Sequence, residues 1–262
     1  MSFNICVLAS GSKGNATFIA TDKTKILLDA GISCRSIESK LKSIGQKPQD
    51  LDAVLITHCH SDHIAGIRTL VNKYNLTVYT YFQNYRHLSS AIGSGKNIVE
   101  LNGNDFFINE VTVSPFELSH DVHCYGYSLY SAGKKITVMT DVGKITEEVK
   151  RCASDSNILM IESNHDVQKL MSNQRYSAVL KKRILSDKGH LSNELCAQTL
   201  QELITQGGRQ VILAHLSQEN NTPELAYTIT AKALKNCDIT VGKDVKLCVA
   251  LQDKISEILT AV

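Results

Sequence analysis

Short apolar runs alternate with stretches of helical spacing along the first third of the chain. Phe3–Ala9, Ala16–Ala20 and Lys25–Asp29 read as strands, each brief, apolar and closed by turn residues. Ser36–Ile44 has helical spacing, with Gly45 as its stop and Pro48 just beyond. Ala53–Thr57 has the apolar run of a buried strand, Ile64–Tyr74 is helical, and Thr77–Tyr81 is β-branched and aromatic. The middle is mainly β, with short strands expected at Asp105–Asn109, Val111–Phe116, Tyr125–Tyr130 and Lys135–Thr140. The alternation then resumes. Helices are expected at Ile145–Cys152, Ala178–Leu185, Asn193–Thr205 and Glu224–Leu234, and strands at Asn157–Ile161, Gln210–Ala214 and Val245–Ala250. No proline- or serine-rich linker separates these elements. The pattern predicts an α/β fold, one layered domain over residues 1–262 with two β-rich halves flanked by helices.

Composition narrows the class. The chain has 262 residues, 43% of them hydrophobic, and a net charge of +2, which excludes a disordered polymer. No overall basic excess announces a nucleic-acid partner. No stretch approaches the ~18 apolar residues of a membrane span. The run Ile5–Ala9 is too short for a signal-peptide core and lacks a basic start. The eight cysteines include no CxxC pair, so we expect reduced thiols and a cytoplasmic protein.

The sharpest chemistry is Thr57-His58-Cys59-His60-Ser61-Asp62-His63, directly after a strand. In an extended loop alternate side chains point the same way, so His58 and His60 can meet one metal ion. A turn at Ser61 lets Asp62 and His63 face a second. Imidazole with carboxylate suits Zn²⁺ or Mn²⁺ and leaves positions open for water. The remaining ligands should come from other strand ends, where His120, Asp141 and His215 stand. An acid between two cations is the natural bridge, and Asp141 is the choice for it.

The motif resembles the signature of the metallo-β-lactamase fold, and Asp29, closing Ile26-Leu27-Leu28-Asp29-Ala30-Gly31, matches the aspartate that precedes it in that superfamily. Ser10-Gly11-Ser12-Lys13-Gly14-Asn15, Thr140-Asp141-Val142-Gly143, Glu162-Ser163-Asn164-His165-Asp166, Gly189-His190-Leu191-Ser192-Asn193 and Ala214–Asn221 extend the match over nearly the whole chain. The full set resembles the YycJ (WalJ, VicX) branch of 5′→3′ exodeoxyribonucleases. This resemblance implies a four-layer αββα sandwich with the metal site along one edge of the two sheets. It also implies one metal on His58, His60 and His120, another on Asp62, His63 and His215, and Asp141 between them. Asp29 is expected to orient the histidine loop rather than to ligate. Cys59 replaces a more usual acid and should point away from the metals; Ser177 stands where a proline is usual.

Two divalent ions, Zn²⁺ or Mn²⁺, would lower the pKa of a shared water for attack on phosphorus. The leaving oxygen then needs a proton. Glu162 and His190 resemble the proton-delivery pair of tRNA 3′-processing enzymes, and with Asp62 they are the expected catalytic residues. Ser12, Asn15, Asn164, His165, Ser192 and Asn193 are the expected substrate contacts. The Ser10–Asn15 run can form an anion-holding nest, although alone it reads only as a turn. Lys181, Lys182, Arg183 and Lys188 form either a DNA-facing patch or a solvated helix face. Tyr79, Tyr81, Phe82 and Tyr85 are either core or a base-stacking surface. The leading expectation is a hydrolase of nucleic acid, most of all DNA with a 5′ end, with no membrane partner. A small-molecule hydrolase of the same fold and a metal-binding regulatory protein are the alternatives.

Overall fold

The computed structural model describes residues 2–93, 97–204 and 209–262. Strands β1 (Phe3–Ala9), β2 (Ala16–Thr21), β3 (Lys25–Leu28), β4 (Ala53–Leu55), β5 (Val78–Tyr81) and β6 (Ile98–Leu101) come first. Then follow β7 (Phe106–Ile108), β8 (Val111–Leu118), β9 (Cys124–Ser131), β10 (Lys134–Met139), β11 (Ile158–Glu162), β12 (Arg209–Ala214), β13 (Val245–Val249) and β14 (Leu259–Thr260). They form two seven-stranded sheets, ordered β14-β1-β2-β3-β4-β5-β6 and β13-β12-β11-β10-β9-β8-β7. Each sheet is mixed. Strands β3 to β6 run parallel in the first, and β10 to β13 in the second. Parallel strands are covered on both faces, which is why Ile158–Ile161 and Val211–Ala214 are unbroken apolar runs.

Helices α1 (Cys34–Ser43), α2 (Ser61–Ile64), α3 (Ile67–Tyr74) and α4 (Phe82–Ile92) belong to the first half. Helices α5 (Glu147–Ala153), α6 (Val167–Ser172), α7 (Ala178–Ile184), α8 (Asn193–Leu203) and α9 (Pro223–Lys235) belong to the second. One core lies between the sheets, built on Phe3, Ile5, Val7, Tyr127, Leu129 and Ile136. Ile37 and Leu41 of α1, Ile67 of α3 and Leu88 of α4 pack on the outer face of the first sheet. Val149 of α5, Leu200 of α8 and Leu234 of α9 pack on the outer face of the second. The layers are therefore αββα.

One departure from the sequence expectation has a clear local cause. The helix expected over Ile64–Tyr74 is split, because Gly66 presses against the chain before α1. Its N–H donates to the Ala30 carbonyl at 2.8 Å, and a Cβ there would lie 2.1 Å from the Ile32 oxygen. Helices α4 and α6 and strands β6 and β14 had no expected counterpart. Thr205, the expected last residue of α8, lies outside the described residues. Ser177 caps α7, accepting the Leu180 N–H at 3.2 Å, a role a proline could not fill. No helix among the described residues is long and apolar enough to cross a membrane.

Candidate metal centre and active site

The expected site residues gather where the parallel strands end. Asp29 follows β3, the histidine motif follows β4, Asp141 follows β10, Glu162 ends β11 and His215 follows β12. Ligand sites of open α/β sheets lie outside such carboxyl ends. Three of these residues leave their strands in the left-handed region, Asp29 at φ 60°, Asp141 at 63° and His215 at 55°. A non-glycine residue there costs roughly 1–2 kcal/mol. Such strain persists where the surroundings over-determine it, and it clusters at functional sites. Here it turns each strand sharply, so that three neighbouring side chains enter one space.

Asp29 fixes the histidine loop. It is buried; Oδ1 accepts the Thr57 N–H at 2.9 Å, and Oδ2 stands 2.7 Å from His63 Nδ1. Thr57 Oγ1 in turn lies 3.1 Å from His58 Nδ1 and 3.2 Å from His63 Nδ1. The outer nitrogens of two expected ligands are thus held, leaving their Nε2 atoms to face inward. Thr57 opens the motif in the sequence without an expected role of its own; a polar residue closing a buried strand was the signal for one.

Gly31 completes this docking. Its N–H donates to the Asn15 carbonyl, and the Asn15 N–H donates to the Asp62 carbonyl, both at 2.8 Å. A Cβ on Gly31 would lie 1.7 Å from that Asp62 oxygen. Gly31→Ala is therefore expected to destabilise the metal-free protein by about 3 kcal/mol or more, the upper range of overpacking. Urea unfolding checks this; a loss below about 1 kcal/mol would mean that the loop can retreat without consequence.

The inward atoms converge as two adjoining groups. His58 Nε2 is 3.1 Å from His60 Nδ1, and His58, His60 and His120 form one cluster. Asp62 Oδ2 stands 3.6 Å from His63 Nε2 and 3.5 Å from His215 Nε2. Asp141 joins this second group, with Oδ2 3.2 Å from His63 Nε2 and Oδ1 3.5 Å from His215 Nε2. It also clusters with His58, so it lies between the two groups. Tetrahedral ligands about 2.1 Å from an ion stand about 3.4 Å apart, the spacing seen here. His120 Nε2, Asp141 Oδ2 and His215 Nε2 are buried and make no hydrogen bond among the described residues. Orphaned atoms of this kind, in a set of imidazoles and carboxylates, fit divalent cations.

The charge balance agrees. Burial alone would pull His63 down, but Asp29 and Asp141 outweigh it and lift the imidazole to about 10. Burial opposes His215 likewise, yet Asp141, Asp62 and Glu162 hold it well above its ordinary value. Burial would raise Asp141, and His215 and His63 hold it well below instead. Burial, with the charge of His63, drives His58 far down, and burial lowers His120. Metal-free, the group around His63 and His215 is thus balanced by protons, whereas His58 and His120 stay neutral.

Glu162 is fully buried and accepts four hydrogen bonds. Oε1 takes the Nδ1–H of His190 and of His215, each at 2.8 Å, and Oε2 takes the N–H of Val142 at 2.9 Å and of Leu191 at 3.0 Å. Burial would raise its carboxyl, but His190 and these partners hold it at about 2. One carboxylate therefore fixes the tautomers of both rings. His215 keeps Nε2 for the metal group. Burial would lower His190, but Glu162 raises it, and the ring borders a cavity of about 160 Å³.

The expected substrate contacts separate. Ser12 and Asn164 line that cavity with Tyr176, Arg183, Lys188 and Ser217. Asn15 instead holds the metal loop, its backbone N–H and its Nδ2 both donating to the Asp62 carbonyl, at 2.8 and 3.3 Å. Ser192 caps α8 through the Leu195 N–H at 3.2 Å. Asn193 is buried against Ser163 and Asn221 at 2.7 and 2.9 Å. Both side chains are thus engaged in holding α8. His165 is buried, both ring nitrogens lack partners among the described residues, and burial lowers it to about 4. Cys59 Sγ faces the Asn84 carbonyl at 3.7 Å. Tyr79 stacks on Phe106 and Tyr81 on Tyr125, whereas Phe82 is exposed. A second, larger cleft of about 790 Å³ opens beside His60 and His120; Glu117, Asp121 and Glu148 face it with Lys188. Asp121 was not singled out in the sequence, although it adjoins His120.

The sequence profile of the beta-lactamase superfamily domain matches residues 24–216. The chain is 38% identical over 254 residues to the exodeoxyribonuclease WalJ of Streptococcus pneumoniae, covering 94% of each chain. It is 35% identical over 247 residues to the exodeoxyribonuclease YycJ of Bacillus anthracis, covering 93% of each. The crystal structure of the metallo-β-lactamase-fold protein YhfI from Bacillus subtilis superposes with a TM-score of 0.73 over 99% of this chain and 100% of its own, at 14% identity, a likeness of fold. By sequence and fold together, the chain belongs to the metallo-β-lactamase-fold beta-lactamase superfamily and, within it, to the WalJ/YycJ family of metal-dependent hydrolases.

Proposed function

We propose that this chain, acting as one domain, is a cytoplasmic exodeoxyribonuclease that holds two divalent ions, Zn²⁺ or Mn²⁺, and removes nucleotides from the 5′ end of DNA. The relatives named exodeoxyribonuclease support the substrate. His58, His60 and His120 would hold one ion, Asp62, His63 and His215 the other, with Asp141 between. When bound, such a pair of ions supplies an activated water and neutralises phosphoryl charge.

The observation that carries the direction is the cationic cavity beside His190. Its volume of about 160 Å³ suits a phosphate rather than a nucleoside, and Arg183 and Lys188 give it positive charge. His190 has Nδ1 committed to Glu162, so Nε2 is free to hand a proton to a leaving oxygen. A 3′ oxygen leaving beside His190 belongs to a nucleotide whose own 5′ phosphate falls one repeat further on, and the cavity that His190 borders is the proposed seat for it. Ser12 and Asn164 serve that phosphate. The larger cleft carries three acids against one lysine, so phosphate attraction is concentrated in the metal site and this cavity.

The test is purified, Mn²⁺- or Zn²⁺-loaded protein on DNA carrying a 5′ phosphate, a 5′ hydroxyl or a 3′ phosphate. Release from the 5′ end is expected, with KM at least about tenfold lower for the 5′-phosphorylated strand, the worth of one charge-assisted pair. The salt slope should report few phosphate contacts. Protein that holds two ions yet releases no nucleotide would overturn the nuclease reading; attack from the 3′ end would overturn the direction.

A further inference from the structure

We propose that Asp121 is a positioning residue that ties His60, a proposed metal ligand, to Arg183 of the phosphate cavity. The inference rests on the two-metal reading above. The nitrogen His60 contributes to its cluster is Nδ1, 3.1 Å from His58 Nε2. Its proton must then sit on Nε2, and the carboxylate facing Nε2 is Asp121, with Oδ1 3.4 Å away, an ion-pair separation. A ligating histidine ordinarily gives its outer N–H to such a carboxylate, which fixes ring orientation and raises ligand basicity. Glu162 does this for His215 and Asp29 for His63. Among the described residues His60 is the histidine of its cluster without a neutral outer partner, since His58 has Thr57 and His120 has the Gly189 carbonyl at 3.2 Å. Asp121 supplies the missing outer partner. Oδ1 also stands 3.3 Å from His120 Nε2, whose lone pair faces the metal group because Nδ1 points at Gly189.

The other oxygen of the same carboxylate pairs with Arg183. Arg183 belongs to α7, none of whose residues is buried, so packing alone does not fix that helix over the site. The ion pair anchors the arginine at the cavity wall. Asp121 therefore touches the metal group with one oxygen and the phosphate cavity with the other. A merely structural Asp121 would serve α7 alone.

Calorimetric titration of metal-free protein with Mn²⁺ separates the two roles. Wild type should take up two ions. Asp121→Asn should bind one of them 10–100-fold more weakly, the loss ordinary for an outer carboxylate. Asp121→Glu should recover most of that affinity. Arg183→Gln should leave both metal affinities unchanged and raise KM for 5′-phosphorylated DNA. Asp121→Asn protein that binds both ions as tightly as wild type overturns this inference and leaves the two-metal reading intact. Wild-type protein that binds fewer than two ions overturns both.

Discussion

His190→Ala is expected to lower turnover on DNA by roughly 10²–10⁴-fold, the range for a lost proton donor, while the protein still binds two ions. The ring borders the cationic cavity and stands outside the triads around His58 and Asp62; it clusters with Asp141, Glu162 and His215, but its Nδ1 is committed to Glu162 at 2.8 Å. The loss should therefore fall on turnover rather than on metal content. Glu162→Gln should behave differently. Its carboxylate also holds His215 and two backbone N–H groups, so this variant should lose turnover and bind the second ion 10–100-fold more weakly. The leaving group gives the sharper discrimination. A phosphodiester with a nitrophenolate leaving group needs no proton as it departs. His190→Ala should hydrolyse that ester at close to the wild-type rate. An equal loss on DNA and on the activated ester would show that His190 supports binding or metal geometry instead of proton transfer.

Much of this site was legible because it sits at chain positions the fold makes conspicuous. A parallel strand covered on both faces is largely apolar, so the first ionisable residue after it stands out. Asp29, Asp141 and His215 are such residues, each one or two positions past an apolar run. What the sequence could not reveal was set by contacts between distant segments. Asn15, expected at the substrate, lies instead against Asp62 and His63, because Gly31 lets the two loops interlock. Ser192 and Asn193, expected at the substrate, are buried at the start of α8, where Ser192 caps the helix and Asn193 is held by Ser163 and Asn221. Helix α4 buries Asn84, Leu88 and Ile92 at intervals of four, and an asparagine in that stripe hides the period. Asp121 is marked locally only by adjoining His120. Its interest arises only when α7, more than fifty residues later, brings Arg183 beside it.

The two ions should differ in how their affinity depends on pH. In the metal-free protein His63 is lifted to about 10 and His215 well above its ordinary value, so both are protonated at neutral pH. Asp62 and Asp141 lie below the usual carboxylate range and are ionised. An ion can use His63 and His215 only after their protons leave. Uptake there should release about two protons per ion near pH 7, and its affinity should rise about 100-fold per pH unit, tenfold for each proton. His58 and His120 are held neutral by burial, so the ion on that side should bind with little such dependence. Titrations in buffers of different ionisation enthalpy count the protons directly. The same protons govern the metal-free fold. A histidine whose pKa is raised by folding stabilises fully below its unfolded value, about 6.5, and loses that contribution as pH rises through the folded value. For His63 the loss runs from about pH 6.5 to about 10. Metal-free protein should therefore melt at a progressively lower temperature between pH 7 and pH 10. Metal-loaded protein, in which cations replace the protons, should not. Uptake of both ions with no proton release would mean that His63 and His215 are already neutral, and that the carboxylates around them are balanced in some other way.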